Sequence, residues 1–186
     1  MRTALLAGAA LAGMLAGCKP PPTDAAVARV SLVAPDTGPS KPLPSPDTTD
    51  ALWASTANPH RLVYGVPGQP VLLALECVAP ARPEARLRIT RHAPADNGAA
   101  ALLALIGNGW IGRFPVDATQ IGGQVLWQGD MPATAREWAA LKPEREATAT
   151  VPGAGLVKLN PSPLPMALVT ACRGEIDAPA ALADRA

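Results

Sequence analysis

Residues 101–116, ALLALIGNGWIGRFPV, set Asn108-Gly109 between two apolar flanks. Both central residues of a two-residue type I′ turn need positive φ, which asparagine and glycine tolerate best. The segment therefore predicts a β-hairpin. Neither a G-x-G-x-x-G nor a Walker pattern claims its glycines. Other short segments carry the same class of signal. Residues 60–66 alternate weakly, residues 70–79 form an apolar run bounded by Pro70 and Pro80, and residues 124–130 read as a further strand. In residues 85–93 Leu87 and Ile89 take one face, and Arg86, Arg88 and Thr90 the other. Residues 147–151 and 156–159 flank Pro152-Gly153-Ala154-Gly155 and predict a second hairpin.

Two segments have helical spacing. Residues 134–141 place Thr134 and Glu137 at capping-box separation, with Trp138 and Leu141 on one face and Pro143 as the stop. Leu164, Ala167, Leu168, Ala171 and Cys172 recur at helical intervals before Gly174, although MALVTA fits a strand equally. Closely spaced strands with hairpin turns imply a mainly β fold, an antiparallel sandwich or partly closed barrel with one or two short helices.

The N-terminal part obeys different rules. Arg2 precedes an apolar stretch from Ala4 to Leu15, the length of a signal-peptide core and too short for a membrane span. It ends Leu15-Ala16-Gly17-Cys18, which resembles the bacterial lipobox, where cleavage precedes a lipidated cysteine. That resemblance implies permanent anchoring through Cys18, since such lipoproteins carry more than one acyl chain. Lys19 in the next position points to the outer membrane by the enteric sorting rule. The alternatives are a cleaved soluble protein and an uncleaved anchor helix. From Lys19 to about Asp50 prolines recur, and proline withholds its amide from a sheet, so this stretch reads as a tether. Within it VARVSLV, residues 27–33, has the pattern of a stray edge strand. The expected organisation is a signal peptide over 1–17, lipidated cysteine and tether over 18–50, a β-rich domain over 51–174, and a flexible tail over 175–186.

With Cys18 assigned to lipid, Cys77 and Cys172 remain as an even pair. An oxidising envelope makes a disulfide the expected state, closing a loop of about 95 residues; two buried free thiols are the alternative.

Catalytic patterns are sparse. Ser55 and Ser162, the serines of the domain, sit in neither G-x-S-x-G nor S-x-x-K. His60 and His92 lack metalloprotease spacing, and no cysteine cluster accompanies them, so no metal or cofactor is expected. Glu76, Asp96, Asp117, Asp130, Glu137, Glu144 and Glu146 show no spacing that selects an acid-base pair, and Asp96 and Asp130 read as turn residues bonding their own backbone. Sixteen basic against fifteen acidic residues, without a basic run, argue against nucleic acid. Trp110 and Trp127 read first as core; the functional reading puts them on an interaction surface, where strand alternation lets Arg113 share the Trp110 face and stack.

LAGC at 15–18, GVPGQPVLLALEC at 65–77, ITRH at 89–92 and LPMALVTACR at 164–173 together resemble small envelope lipoproteins of sphingomonad-type alphaproteobacteria. In these a strand cysteine is followed much later by a cysteine in a terminal xCR. The resemblance implies no activity, cofactor or catalytic residue. GGQVLWQGD at 122–130 is more faintly similar to the membrane-bound inhibitors of c-type lysozyme, but Gly122-Gly123 stand where their loop carries serine. The expected protein is a non-enzymatic lipoprotein that meets the membrane through its lipid and an envelope protein through its domain. A ligand-binding or inhibitor module is the alternative.

Overall fold

A computed structural model describes residues 41–174. The expected signal peptide over 1–17, Cys18, residues 27–33 and the expected tail over 175–186 lie outside the described residues. Nine strands form one antiparallel sheet: β1 (Leu52–Ser55), β2 (Arg61–Gly65), β3 (Leu73–Val78), β4 (Arg86–Pro94), β5 (Ala100–Gly107), β6 (Trp110–Ile121), β7 (Gln124–Pro132), β8 (Ala147–Thr150) and β9 (Leu156–Leu159). Their spatial order is β1-β2-β3-β4-β7-β6-β5-β8-β9. A 3-10 helix (Arg136–Leu141) and an α-helix, α1 (Leu164–Arg173), complete the domain. The architecture is thus mainly β as the hairpin pattern predicts, and of the sandwich and the partly closed barrel it is the barrel, with two short helices.

The Asn108-Gly109 turn forms as expected. Its two residues have φ of 50° and 78°, and β5 pairs with β6 from Gly107↔Trp110 to Ala100↔Asp117. The Asn108 side-chain amide also donates to the carbonyls of Ala140 and Lys142 at 3.1 and 2.7 Å, tying the hairpin tip to the end of the 3-10 helix.

Curling brings the two edges of the sheet together without strand pairing. Just past β9, the Asn160 side chain donates to the carbonyls of Thr48 and Ala51 at 3.0 and 2.8 Å, and its backbone N–H donates to the Tyr64 hydroxyl at 2.9 Å. The outer edge of β9 also receives a strap. Leu43 N–H donates to Gly153 O, and Leu156 N–H donates to Ser45 Oγ at 3.0 Å. An exposed edge invites pairing with other chains, and this strap blunts it. The domain therefore begins earlier than the proline pattern suggests. Residues 43–48 belong to the domain, and Thr48 is buried. Pro42, Pro44 and Pro46 leave alternate amides on one side of an extended chain, so a proline-rich strap can dock by its few remaining polar groups.

The core follows period-two alternation. Leu73, Leu75, Leu87, Ile89, Leu103, Leu105, Phe114 and Val157 are inaccessible to solvent. Trp138 of the 3-10 helix closes the lower end, its ring 4.6 Å from Phe114 and its Nε1–H donating to Pro132 O at 3.0 Å. That segment differs from the expected capping-box helix. Ala135 is its N-cap with no side-chain bond, because Thr134 lies one residue too early; Pro143 leaves too little length for an α-helix to settle.

Helix α1 resolves the ambiguity of residues 164–172. Its buried residues Pro165, Leu168, Val169 and Cys172 form one stripe against β1 to β4. Cys172 forms a disulfide with Cys77 of β3, with Cα atoms 5.6 Å apart. Ala81 N–H donates to Cys172 O at 3.0 Å and Arg173 Nε to Ala133 O at 2.8 Å, so the helix end is fixed from three sides.

Gly129 sits where β7 crosses close to β6. A Cβ there would collide with the Pro115 carbonyl. Gly129→Ala is expected to lower stability by about 1–3 kcal/mol, the usual range for overpacking, read as the urea midpoint of the purified domain.

Candidate functional site

The barrel turns two unlike outer faces to its surroundings. On β2, β3, β4 and β7, register aligns Arg61↔Glu76, Glu76↔Arg88 and Arg88↔Asp130, a row that alternates in sign. Arg61 Nη1 lies 3.2 Å from Glu76 Oε2 and Arg86 Nε 3.0 Å from Asp130 Oδ2. Asp130 thus takes an arginine on the neighbouring strand, not its own backbone, because β7 runs on through it to Pro132. Partly exposed pairs of this kind contribute little to stability and serve mainly to keep the face solvated.

On β6, β5, β8 and β9 most outward positions are apolar or uncharged. One cross-strand row reads Arg113, Ala104, Thr150, Leu156; the next reads Ile111, Ile106, Thr148, Lys158; Leu102 stands opposite Pro115. Leu102, Ile106, Ile111 and Leu156 are 52, 44, 56 and 36% exposed. Single exposed leucines need no explanation, but four in adjoining rows form a patch. Its only charges are the cations Arg113 and Lys158, at opposite margins. The nearest acid in these rows is Asp117, one outward position beyond Pro115 on β6.

The expected recognition residues divide between surfaces. Arg113 points outward with Ile111, while Trp110 shares the parity of Gly112 and Phe114. Three positions separate Trp110 from Arg113, so alternation places them on opposite faces and the expected stacking does not form. Trp110 is 38% exposed at the hairpin end. Trp127 is buried opposite Ala118 and Arg91 and is core, not surface.

Arg91 is a residue that the sequence pattern did not single out. It continues the Leu87, Ile89 face into the barrel and is only 4% exposed. Its guanidinium donates to Leu72 O at 3.0 Å, His92 O at 3.3 Å and Ala154 O at 2.7 Å. Among the described residues no carboxylate pairs with it. Burial pushes the guanidinium down to about 10, so it stays protonated at neutral pH. Its planar fork matches several carbonyls at once, which a lysine could not do. The contact to Ala154 ties the β8–β9 turn across the upper opening to β4.

His92, next in sequence, is partly buried, and burial first, then the charges of Arg61 and Arg91, holds its imidazole below the ordinary value of 6.5. The unfolded chain therefore binds this proton more readily. Its stabilising effect is present above the unfolded value and is lost as pH falls through the folded one. Stability measured by denaturant is expected to decline as pH falls below the ordinary imidazole value of 6.5, and His92→Gln is expected to flatten that decline.

No cluster of three His, Cys, Asp or Glu able to hold a metal occurs among the described residues. The groove along β1 and β2, lined by Leu52, Val63 and Val71, is open and encloses about 220 Å³. That is below the ordinary range for small-molecule sites. No family model, curated protein or solved structure matches the chain. The outer face of β5, β6, β8 and β9 is the candidate functional surface on its own chemistry.

Proposed function

We propose that the chain is a lipid-anchored envelope lipoprotein, held through Cys18, whose β-domain is a non-enzymatic interaction module. The observation that carries the reading is the uneven outer surface: one cross-strand row on β2, β3, β4 and β7 alternates charges, whereas β5, β6, β8 and β9 expose Leu102, Ile106, Ile111 and Leu156. Exposed apolar area of this kind on an otherwise polar domain marks a contact surface. The lipobox-like sequence at residues 15–18 and the proline-rich stretch after it supply the anchor and the spacer. The outer membrane, with the domain in the periplasm, is the location that Lys19 supports.

A photoreactive residue placed at position 106 is expected to give crosslinks in the membrane fraction, and one at position 88 none. Cys18→Ala is expected to release the chain or strand its precursor, and to abolish the crosslinks at 106. Equal crosslinking from both positions would remove the apolar face from the proposal.

A further inference from the structure

We infer that the apolar face of β5, β6, β8 and β9 rests on the headgroup region of an anionic phospholipid bilayer. This rests on the reading of Cys18 as the anchor.

The first support is the chemistry of the face. Leu102, Ile106, Ile111 and Leu156 offer aliphatic side chains, flanked by Arg113 and Lys158. Long cationic side chains at the margin of an apolar surface can reach phosphates while the apolar part enters the acyl boundary. Juxtamembrane cations are attracted to anionic lipid, and Arg113 and Lys158 flank the aliphatic positions, with Asp117 one outward position beyond Pro115. Trp and Tyr, the usual aromatic anchors of a protein interface, are absent from the outward positions of these rows.

The second support is where the chain leaves the domain. Leu43 bonds Gly153, and Ser45 bonds the N–H of Leu156, itself a member of the face. The chain toward Cys18 thus departs along the border of the apolar face, not from the charged half. About 23 residues separate Cys18 from Lys41. A flexible chain of that length spans roughly 24–29 Å, and proline extends it. A compact domain of this size has a radius of gyration of about 14 Å. A link of that length lets an anchored domain bring this face to the membrane, where even a weak contact is populated.

The test uses the full chain, purified from membranes, with an environment-sensitive nitrobenzoxadiazole dye on Ile106→Cys or, on the charged half, on Arg88→Cys. The unsubstituted chain reports any labelling of Cys18. Each is mixed with excess vesicles of phosphatidylcholine and phosphatidylglycerol, with or without bromine on the acyl chains. The dye at 106 is expected to shift to the blue and to be quenched by bromolipid, with a smaller effect in phosphatidylcholine alone or at high salt. The dye at 88 is expected to do neither. Equal, unquenched emission at both positions from chains that float with the vesicles would overturn the inference. So would a blue shift at 106 in buffer without vesicles, which would mean that a second copy or residues 27–33 cover the face. The mass of the N-terminal peptide is read on the same sample. Absence of acyl chains would refute the anchor, while quenching at 106 by excess vesicles would still be scored separately.

Discussion

Arg91→Ala is expected to destabilise the domain by about 2–4 kcal/mol, a fall of roughly 8–15 °C in midpoint. Three effects combine in that loss. The substitution removes charge-assisted hydrogen bonds to Leu72, His92 and Ala154, and Ala154 O has no other partner among the bonds seen in the domain. It also empties the upper barrel of a long side chain. Against these stands relief of a buried, unpaired cation, whose burial is the reason its affinity for the proton is lowered. Arg91→Met separates these effects, because it keeps most of the volume and discards both bonds and charge. It is expected to recover about half the loss. A Met variant more stable than the parent would mean that desolvation of the cation outweighs its three bonds. Arg91→Lys is expected to behave nearly as badly as Ala, since one ammonium cannot span the carbonyls of Leu72, just before β3, and of Ala154 in the β8–β9 turn.

Replacing Cys77 and Cys172 together by alanine is expected to lower stability by about 4–5 kcal/mol. The bond joins residues 95 apart, so its loss frees most of the folded chain in the unfolded state. The effect has a spatial signature. Cys172 is inaccessible and lies in the last turn of the helix that packs against β1 to β4. Amide exchange over Leu164–Arg173 is therefore expected to rise more than exchange over β5 and β6, whose long pairing does not involve α1. Uniform acceleration across all strands would show that the bond acts only through the unfolded chain. The single variant Cys77→Ala should leave one thiol at Cys172, titratable only after unfolding.

Much of the fold was legible in local pattern. Asn108-Gly109 admits few other conformations, and the alternation of residues 85–93 assigned β4 its faces. Strand β1 escaped because LWAS is too short for a period to show. The strap over 43–48 escaped because prolines that dock through two or three polar groups look, in sequence, like prolines that do not dock. The candidate surface was hidden for another reason. ALLALI is apolar at every position, so alternation cannot tell which of Leu102 and Leu103 faces out; only pairing with both β6 and β8 decides it. Arg91 was within reach, since it shares parity with Leu87 and Ile89, but an arginine is not expected inside unless three carbonyls converge on it. Trp110 and Arg113 show the opposite fault, a neighbourhood inferred from closeness in sequence where the strand period separates them.

The most direct measurement is the intact mass of the N-terminal peptide released from the full chain expressed in a bacterial envelope and recovered from the membrane fraction. A peptide that begins at Cys18 and carries acyl chains is the expected result, with Cys77 and Cys172 joined in the same preparation. A peptide that begins elsewhere, or that carries Cys18 as an unmodified thiol, would contradict the anchored-lipoprotein reading.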